Sequence, residues 1–387
     1  MRDIIITHMF FFSKKNKEET VAVFDISSGS VGGSIFLVKQ NSKPVIVSSC
    51  RNNFKDSSNQ NVDSMLSALE KTANFLQKDI HAVPDKVFAV VSSPWSTGQL
   101  RNIKRHRKET FVFTEKFAKN LIKEEIEKFK KENTGFDEII DRRTVNVLLN
   151  GFEAPKPNGK RVKESEIHVF LSLSSKEIIE RIEKVIMNTY QKSIKFTSSF
   201  FADFIVARDI FDNLNDFIIL DIHEDSTEIS VMQNDFLVGT ASLPYGKNTL
   251  INHVAKGLGK NPTEVAPMLS MYKDGHLDDS YADKIEELVY KEGFLWVEGL
   301  KKVFISLSAS FLIPHDIFFI SDKSSSAWFL KLLTKSNFSE FTTTENSFNV
   351  ILADSKNMHE FYKSAMHIKY DSRLTIQSIF INNIINK

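Results

Sequence analysis

Two stretches repeat one pattern, and that repetition constrains the fold more tightly than any other feature of the chain. In 20-TVAVFDISSGSVGGSIFLV-38 an apolar run ends in Asp25, turns through Ser and Gly, and resumes as a second apolar run. In 216-DFIILDIHEDSTEISVMQNDFLVG-239 an apolar run ends in Asp221, turns through polar residues and resumes in the same way. A third strand follows each, 44-PVIVSSC-50 in the first and FLVGTASLP in the second, where a tight turn at Asn234-Asp235 leads into it. Short apolar runs bounded by turn residues read as strands. Two such meanders in one chain make internal duplication the economical explanation. With 387 residues and 44.2 kDa there is room for two or three domains, each with its own core.

Strands and helices alternate between the meanders. Met65, Leu66, Leu69, Ala73 and Leu76 form one stripe of a helix over 62–80. A strand begins after a proline in 84-PDKVFAVVSSPW-95, and Thr114 caps a helix over 114–131 with Phe117, Leu121, Ile122, Ile126 and Phe129 on one face. Strands 144-TVNVLLNGFE-153 and 166-EIHVFLSLS-174 flank a Pro/Gly/Lys loop, and a helix over 175–190 follows. Strand, helix, strand, strand, helix describes an α+β module inserted over 84–192. A strand and helix follow in 194–211, helices over 247–317, and a strand, 317-IFFISD-322, leading through a loop into the helix 323-KSSSAWFLKLL-333. The expected organisation is a leader over 1–19, a first half over 20–83 and 193–213, the insertion, a second half over 214–373 and a terminal helix over 374–387.

Composition narrows the function. Lys and Arg number 50 against 49 Asp and Glu, so the net charge of +1 offers no global field for nucleic acid. The single Cys50 excludes an internal disulfide framework, and with no export signal recognisable at the start the expected location is the cytoplasm. No apolar run approaches the roughly 20 residues that span a bilayer. The segment 5-IITHMFFFSKKNKEE-19 reads either as a short interfacial anchor or as a frayed leader. No nucleophile elbow, Walker loop, paired-Cys or His-x-x-x-His spacing is present.

The two Asp-bearing hairpins, the later strand-loop-helix and the insertion together resemble the actin-fold ATPases, and within them the FtsA and PilM type, over about 20 to 328. The family's first loop, D-I-G-T/S-S, is resembled by 25-DISSGSVGG-33; its second, D-I-G-G-G-T-T-D-I, by 221-DIHEDSTEI-229, followed by 243-LPYGKNTLINHVA-255. The insertion stands where that family carries its diagnostic strand-helix-strand-strand (SHS2) domain. The expected fold class is therefore α/β, an actin-like (ribonuclease H-like duplicated) fold with an inserted α+β module. The resemblance implies ATP and Mg²⁺ in a cleft between the halves. Asp25, Ser27, Ser28, Asp221, Ser226, Thr227 and Glu228 match the cofactor-binding positions, and Asp25 and Asp221 the metal positions. It also implies a cytoplasmic protein at the inner face of a bacterial membrane. An FtsA role, the expected one, brings division membrane proteins, a tubulin-like polymer and self-association; a PilM role brings the cytoplasmic tail of a pilus assembly protein at the inserted module.

The departures matter as much. Phosphate cradles use glycine because backbone N–H groups must approach the oxygens. Here His223, Glu224 and Asp225 replace three glycines, Ser27 replaces one in the first loop, and 320-ISDKSSSAWF-329 has none where the family reads T-G-G-G-S. Pro267 and Ser270 stand where the family's ribose helix carries Glu and Lys. A carboxylate about 4 Å from a phosphate oxygen costs about 4 kcal/mol at intermediate dielectric. The expectation is a scaffold with weak or no ATP hydrolysis, the alternative an FtsA-like protein that retains Mg-ATP binding.

Several residues admit two readings. Asp25 and Asp221 suit a metal or a strand-end cap, and Ser226, Thr227 and Glu228 suit a phosphate site or the start of a strand. His223, Glu224, Asp225 and Asp25 have ligand types for a divalent ion, but adjacent strand residues point to opposite faces. The run 104-KRHRK-108 suits acidic headgroups, a partner or a solvated loop; Trp95 suits a contact surface or a core; 374-LTIQSIFINNIINK-387 suits an amphipathic membrane helix or one packed on the body.

Overall fold

The apolar runs of each meander form strands whose side chains are buried on both faces, which requires cover from helices on two sides. In the computed structural model, which describes residues 18–54, 62–211, 214–273, 276, 278–308, 312–323, 325–341 and 348–386, that cover comes from the chain itself. The leader's anchor reading falls on 1–17, outside the described residues.

The first meander is β1 (Glu19–Ile26), β2 (Ser30–Val38) and β3 (Val45–Asn53), followed by α1 (Val62–Ile80) and β4 (Lys86–Val91). Then come β5 (Ser96–Val112), α2 (Glu115–Glu132), β6 (Glu138–Leu149), β7 (Phe152–Glu153), β8 (Arg161–Ser174) and α3 (Lys176–Tyr190). β9 (Ile194–Ser198) and α4 (Ser199–Ile210) lead to the second meander, β10 (Phe217–Ile222), β11 (Thr227–Gln233) and β12 (Phe236–Leu243). The chain continues through α5 (Lys247–Leu258), α6 (Pro262–Lys273), α7 (Asp279–Ser308), β13 (Asp316–Ile320), α8 (Ser326–Lys335), β14 (Asn349–Leu352), α9 (Ser355–Met358), β15 (Lys363–Ser364) and α10 (Ser372–Asn386).

Duplication is visible in the sheets. The first runs β15-β3-β2-β1-β4-β9 and the second β12-β11-β10-β13-β14, so each half orders five equivalent strands 3-2-1-4-5, with β15 added at the edge of the first. Within each, the meander is antiparallel and the later strands are parallel to its first strand. The turn at Asn234 and Asp235 places both in the left-handed region, φ 50° and 65°, as a two-residue hairpin demands.

The insertion is narrower than 84–192. β4 pairs with β1 and β9 in the first sheet, and α3 packs on α1, so both belong with the first half. The insertion's own sheet is β5-β8-β6-β7, and its first strand is β5, read from sequence as part of a loop. β5 hid behind its charges: Arg101 and Arg105 alternate with Ile103 and pair with Glu125 and Glu124 of α2. The run 104–108 is thus strand, with Lys104 bridged to Glu166 of β8. Thr114 caps α2 as expected, its hydroxyl accepting from the Phe117 N–H at 3.2 Å.

The central core lies between the halves. Val21, Val23 and Val90 from the first sheet and Phe217, Ile219 and Phe318 from the second close on Phe200 and Phe204 of α4 and on Ile376, Ile379 and Phe380 of α10. α10 is therefore an interior element, and the membrane-helix reading of 374–387 is overturned: its Ile/Phe face is sealed in protein. Trp95 is a core residue too, 2% exposed. Phe380→Ala should cost about 3–5 kcal/mol by urea denaturation, with both halves melting together because the ring closes a core they share.

Candidate functional site

β1 and β10 carry the two aspartates to equivalent places. Asp25 lies opposite Gly32 in the β1–β2 ladder and Asp221 opposite Glu228 in the β10–β11 ladder. The loops after them, 27–29 and 223–226, face each other across the junction of the halves and are bonded directly. His223 Nδ1 and Ser27 Oγ are 3.1 Å apart, Ser30 Oγ donates to Glu224 Oε1 at 2.8 Å, and the Asp225 N–H donates to Ser28 Oγ at 3.0 Å. A Cβ on Gly29 would stand 2.8 Å from Glu224 Cβ, so glycine is required there for close approach to the opposite loop. Trp95 fixes the first loop, its indole N–H donating to the Ser27 carbonyl at 2.7 Å.

Both aspartates are claimed from inside the chain. Arg51 Nη1 lies 2.7 Å from Asp25 Oδ2, and Gln377 of α10 donates to Asp25 Oδ1 at 2.7 Å. Arg373 of α10 donates from Nε to Asp221 Oδ1 at 2.9 Å and from Nη2 to the Ile222 carbonyl. Arg51 Nε also pairs with Asp371 at 2.7 Å, tying β3 to the segment that enters α10. The Arg51 guanidinium fits because residue 32 is glycine: a Cβ there would lie 2.7 Å from Nη2.

A second group surrounds His223. Its Nε2 lies 2.9 Å from Asp221 Oδ2 and 3.5 Å from Glu228 Oε2. Glu228 accepts from the Ser93 N–H at 2.8 Å and the Ser199 hydroxyl at 2.6 Å, both from the first half. Burial would favour a neutral ring, but the Asp221 carboxylate outweighs it and raises the His223 pKa to about 10. Burial likewise penalises the Asp221 anion, yet Arg373 and then His223 hold its carboxyl at about 2. Asp203 of α4 goes the other way: burial, then the charges of Asp221 and Glu228, push its pKa well up against the opposing pull of His223 and Arg373.

The sequence candidates therefore divide. Asp25, Ser27, Ser28, Asp221 and Glu228 meet in this cluster. Thr227 does not: its hydroxyl donates to the Tyr245 carbonyl at 2.7 Å and accepts from the Trp296 indole at 2.9 Å, on the opposite face of β11 from Glu228. The Ser226 hydroxyl is buried without a hydrogen bond, and its carbonyl accepts from the His223 N–H at 2.8 Å. Sequence reasoning missed Arg51, Asp203, Asp371, Arg373 and Gln377. Arg373 and Gln377 sit four residues apart on one face of α10, a spacing that is legible only once the helix is known to be interior.

No family model matches the chain, and no curated protein matches it in sequence. Among solved structures, a chain titled as the PilM-PilN type IV pilus biogenesis complex superposes with a TM-score of 0.67 at 10% identity, covering 95% of this chain and 98% of that one. A protein of actin-like ATPase fold from Bacteroides thetaiotaomicron (TM-score 0.42, 10% identity, 96% and 99% covered) resembles it more loosely. So does the ethanolamine utilization protein EutJ from Carboxydothermus hydrogenoformans (0.44, 10%, 95% and 89%). The fold is that of the actin-like ATPases. Among the described residues, no helix is long and apolar enough to cross a membrane.

On an actin-like frame the two loops are where the resemblance places nucleotide phosphates, and the residues present do not fit that group. The loops bond to each other where phosphate oxygens would sit. Glu224 adds a buried anion, its pKa lowered against the cost of burial by Arg373, Lys247 and Arg51. The two aspartates that would serve Mg²⁺ are paired with guanidinium and amide groups. The third loop closes similarly, Asp322 pairing at 2.5 Å with Lys247 at the start of α5.

Arg373→Ala leaves Asp221 buried with one cation fewer and should cost about 3–5 kcal/mol of stability by urea denaturation. Arg373→Lys should recover only part of it, because one ammonium cannot hold both Asp221 and the Ile222 carbonyl. Asp371 gives the pH test. Burial raises its pKa but Arg51 outweighs that, so its folded pKa lies below the ordinary carboxylate value of about 3.9. Its stabilisation is present above that value and lost as pH falls through the lower folded one. Acid titration of thermal stability should be shallower in Asp371→Asn than in the parent.

Proposed function

We propose that this chain is a partner-binding scaffold on an actin-like frame, closer to a PilM role than to an FtsA role, and that it works without a nucleotide. The observation carrying this reading is the direct bonding of the two phosphate-side loops, Ser27 to His223, Ser28 to Asp225 and Ser30 to Glu224. In a nucleotide-driven actin fold the ligand bridges the halves; here side chains bridge them, so the relative orientation of the halves no longer depends on a bound ligand. A frame of fixed angle is suited to presenting surfaces.

The PilM side is supported by the solved complex, which matches this chain over nearly its whole length. The FtsA side leaned on the length of the chain and on the tail as a membrane helix, and α10 is interior. The partner we infer is a protein of a pilus-like assembly at the membrane, bound at the insertion centred on β5, β6 and β8. Membrane association would then come through the partner, in the cytoplasmic setting expected from the lone cysteine.

Calorimetric titration of ATP and ADP with Mg²⁺ tests the reading: no heat is expected at millimolar nucleotide. Micromolar binding that Asp25→Asn abolishes would overturn it and restore a nucleotide-dependent role.

A further inference from the structure

We propose that Asp221, His223 and Glu228 form a binding site for one divalent transition metal ion of the zinc class. The three are brought together by strand geometry: 221 and 223 project to the same side by the period of two, and Glu228 is the register partner of Asp221 on β11. One ligand atom from each lies within 4.8 Å of the others. The separations of 2.9 Å from Nε2 to Asp221 Oδ2 and 3.5 Å to Glu228 Oε2 bracket the roughly 3.3 Å between neighbouring ligands of a tetrahedral ion bonded at about 2.0–2.1 Å.

The orientation of the ring supports an ion. His223 Nε2 is buried, and its N–H has hydrogen-bond geometry to neither carboxylate oxygen despite their nearness. It is directed between them, where a shared cation would take the place of the Nε2 proton, which is released to solvent as the ion binds. Every ligand also has an outer partner of the kind metal sites use to fix orientation. The His223 Nδ1 faces Ser27 Oγ, the Arg373 Nε–H is shared between Asp221 Oδ1 at 2.9 Å and Oδ2 at 3.2 Å, and Glu228 is held by Ser199 and Ser93. An imidazole with two carboxylates selects zinc-class ions over Mg²⁺, which prefers an all-oxygen octahedron. The site thus shares Asp221 with the Mg²⁺ position implied for an actin-like ATPase, but has His223 and Glu228 as its other ligands in place of Asp25. It also lies against first-half residues Ser27, Ser93 and Ser199, so a bound ion would tighten the same closure that the ion pairs make.

Titration of Zn²⁺ into the chelator-stripped full chain tests the site, with Cys50→Ser in parallel because Cys50 is the sole thiol. The expected result is one Zn²⁺ per chain, kept in Cys50→Ser and weakened roughly 10–100-fold or more in His223→Gln and Glu228→Gln. Absence of stoichiometric binding, indifference to His223→Gln, or loss in Cys50→Ser would each overturn the proposal. Should the two site variants fail to fold, X-ray absorption on the zinc-loaded parent decides. A shell of one nitrogen with oxygens at about 2.0–2.2 Å supports the site, and a sulfur or all-oxygen shell overturns it.

Discussion

The pairing of Arg373 with Asp221 is the contact on which the rest of the structure depends. Arg373 opens α10, which lies against β1 and β2 of the first sheet, whereas Asp221 ends β10 in the second. One guanidinium thus joins the last helix of the chain to the centre of the opposite half. Buried ion pairs stabilise little over a well-packed apolar alternative, because desolvation offsets most of the attraction. Their consequence here is geometric. Asp221 is satisfied only when α10 is seated, and α10 is seated only when the sheets stand at the angle that closes the core around Phe204 and Phe380.

Arg51 extends the same logic. Its guanidinium meets Asp25 and Asp371 at once, so the strand end that would serve a metal and the turn that launches α10 share one cation. Asp25, Asp221, Glu224 and Asp371 face Arg51, Arg373 and the imidazolium of His223, with Asp203 pushed toward its neutral form at the edge. Such a network resists partial opening, because separating any one pair leaves a charge in a medium that solvates it poorly. On this argument the two halves should open together and not about a hinge.

Much of this architecture was legible in the sequence. The meanders announced themselves through short apolar runs bounded by turn residues such as Asn234-Asp235, and α1 and α2 through apolar stripes, because these signals are local. β5 was missed since seventeen residues of mostly polar strand carry no hydrophobic pattern; its stability comes from pairing with β8 and from ion pairs to α2, which are not local. For α10 the packed reading stood beside the membrane one, and nothing local chose between them. Ser372, Arg373, Gln377 and Asn382 gave it the look of a surface helix, and only their distant partners, Ser321, Asp221, Asp25 and Ser42, make burial affordable. Asp25 and Asp221 were found by pattern; Arg51 was not, although Gly32, which leaves room for it, stood in the quoted motif.

The replaced glycines can be understood in two ways, as loops that lost their ligand or as loops that acquired each other, and the pairings favour the second. A loop that had merely decayed would turn the side chains that replace its glycines to water instead of to the opposite loop. His223 instead meets Ser27, the residue that replaces the first loop's glycine, and Glu224 meets Ser30 while Gly29 keeps the space for its stem. Each new side chain is unfavourable alone: a buried imidazolium needs Asp221, and a buried glutamate needs Arg51 and Arg373 close by. Their mutual dependence makes the closed junction a state that the whole set specifies, and a change at any one position would leave charges on the other loop uncompensated.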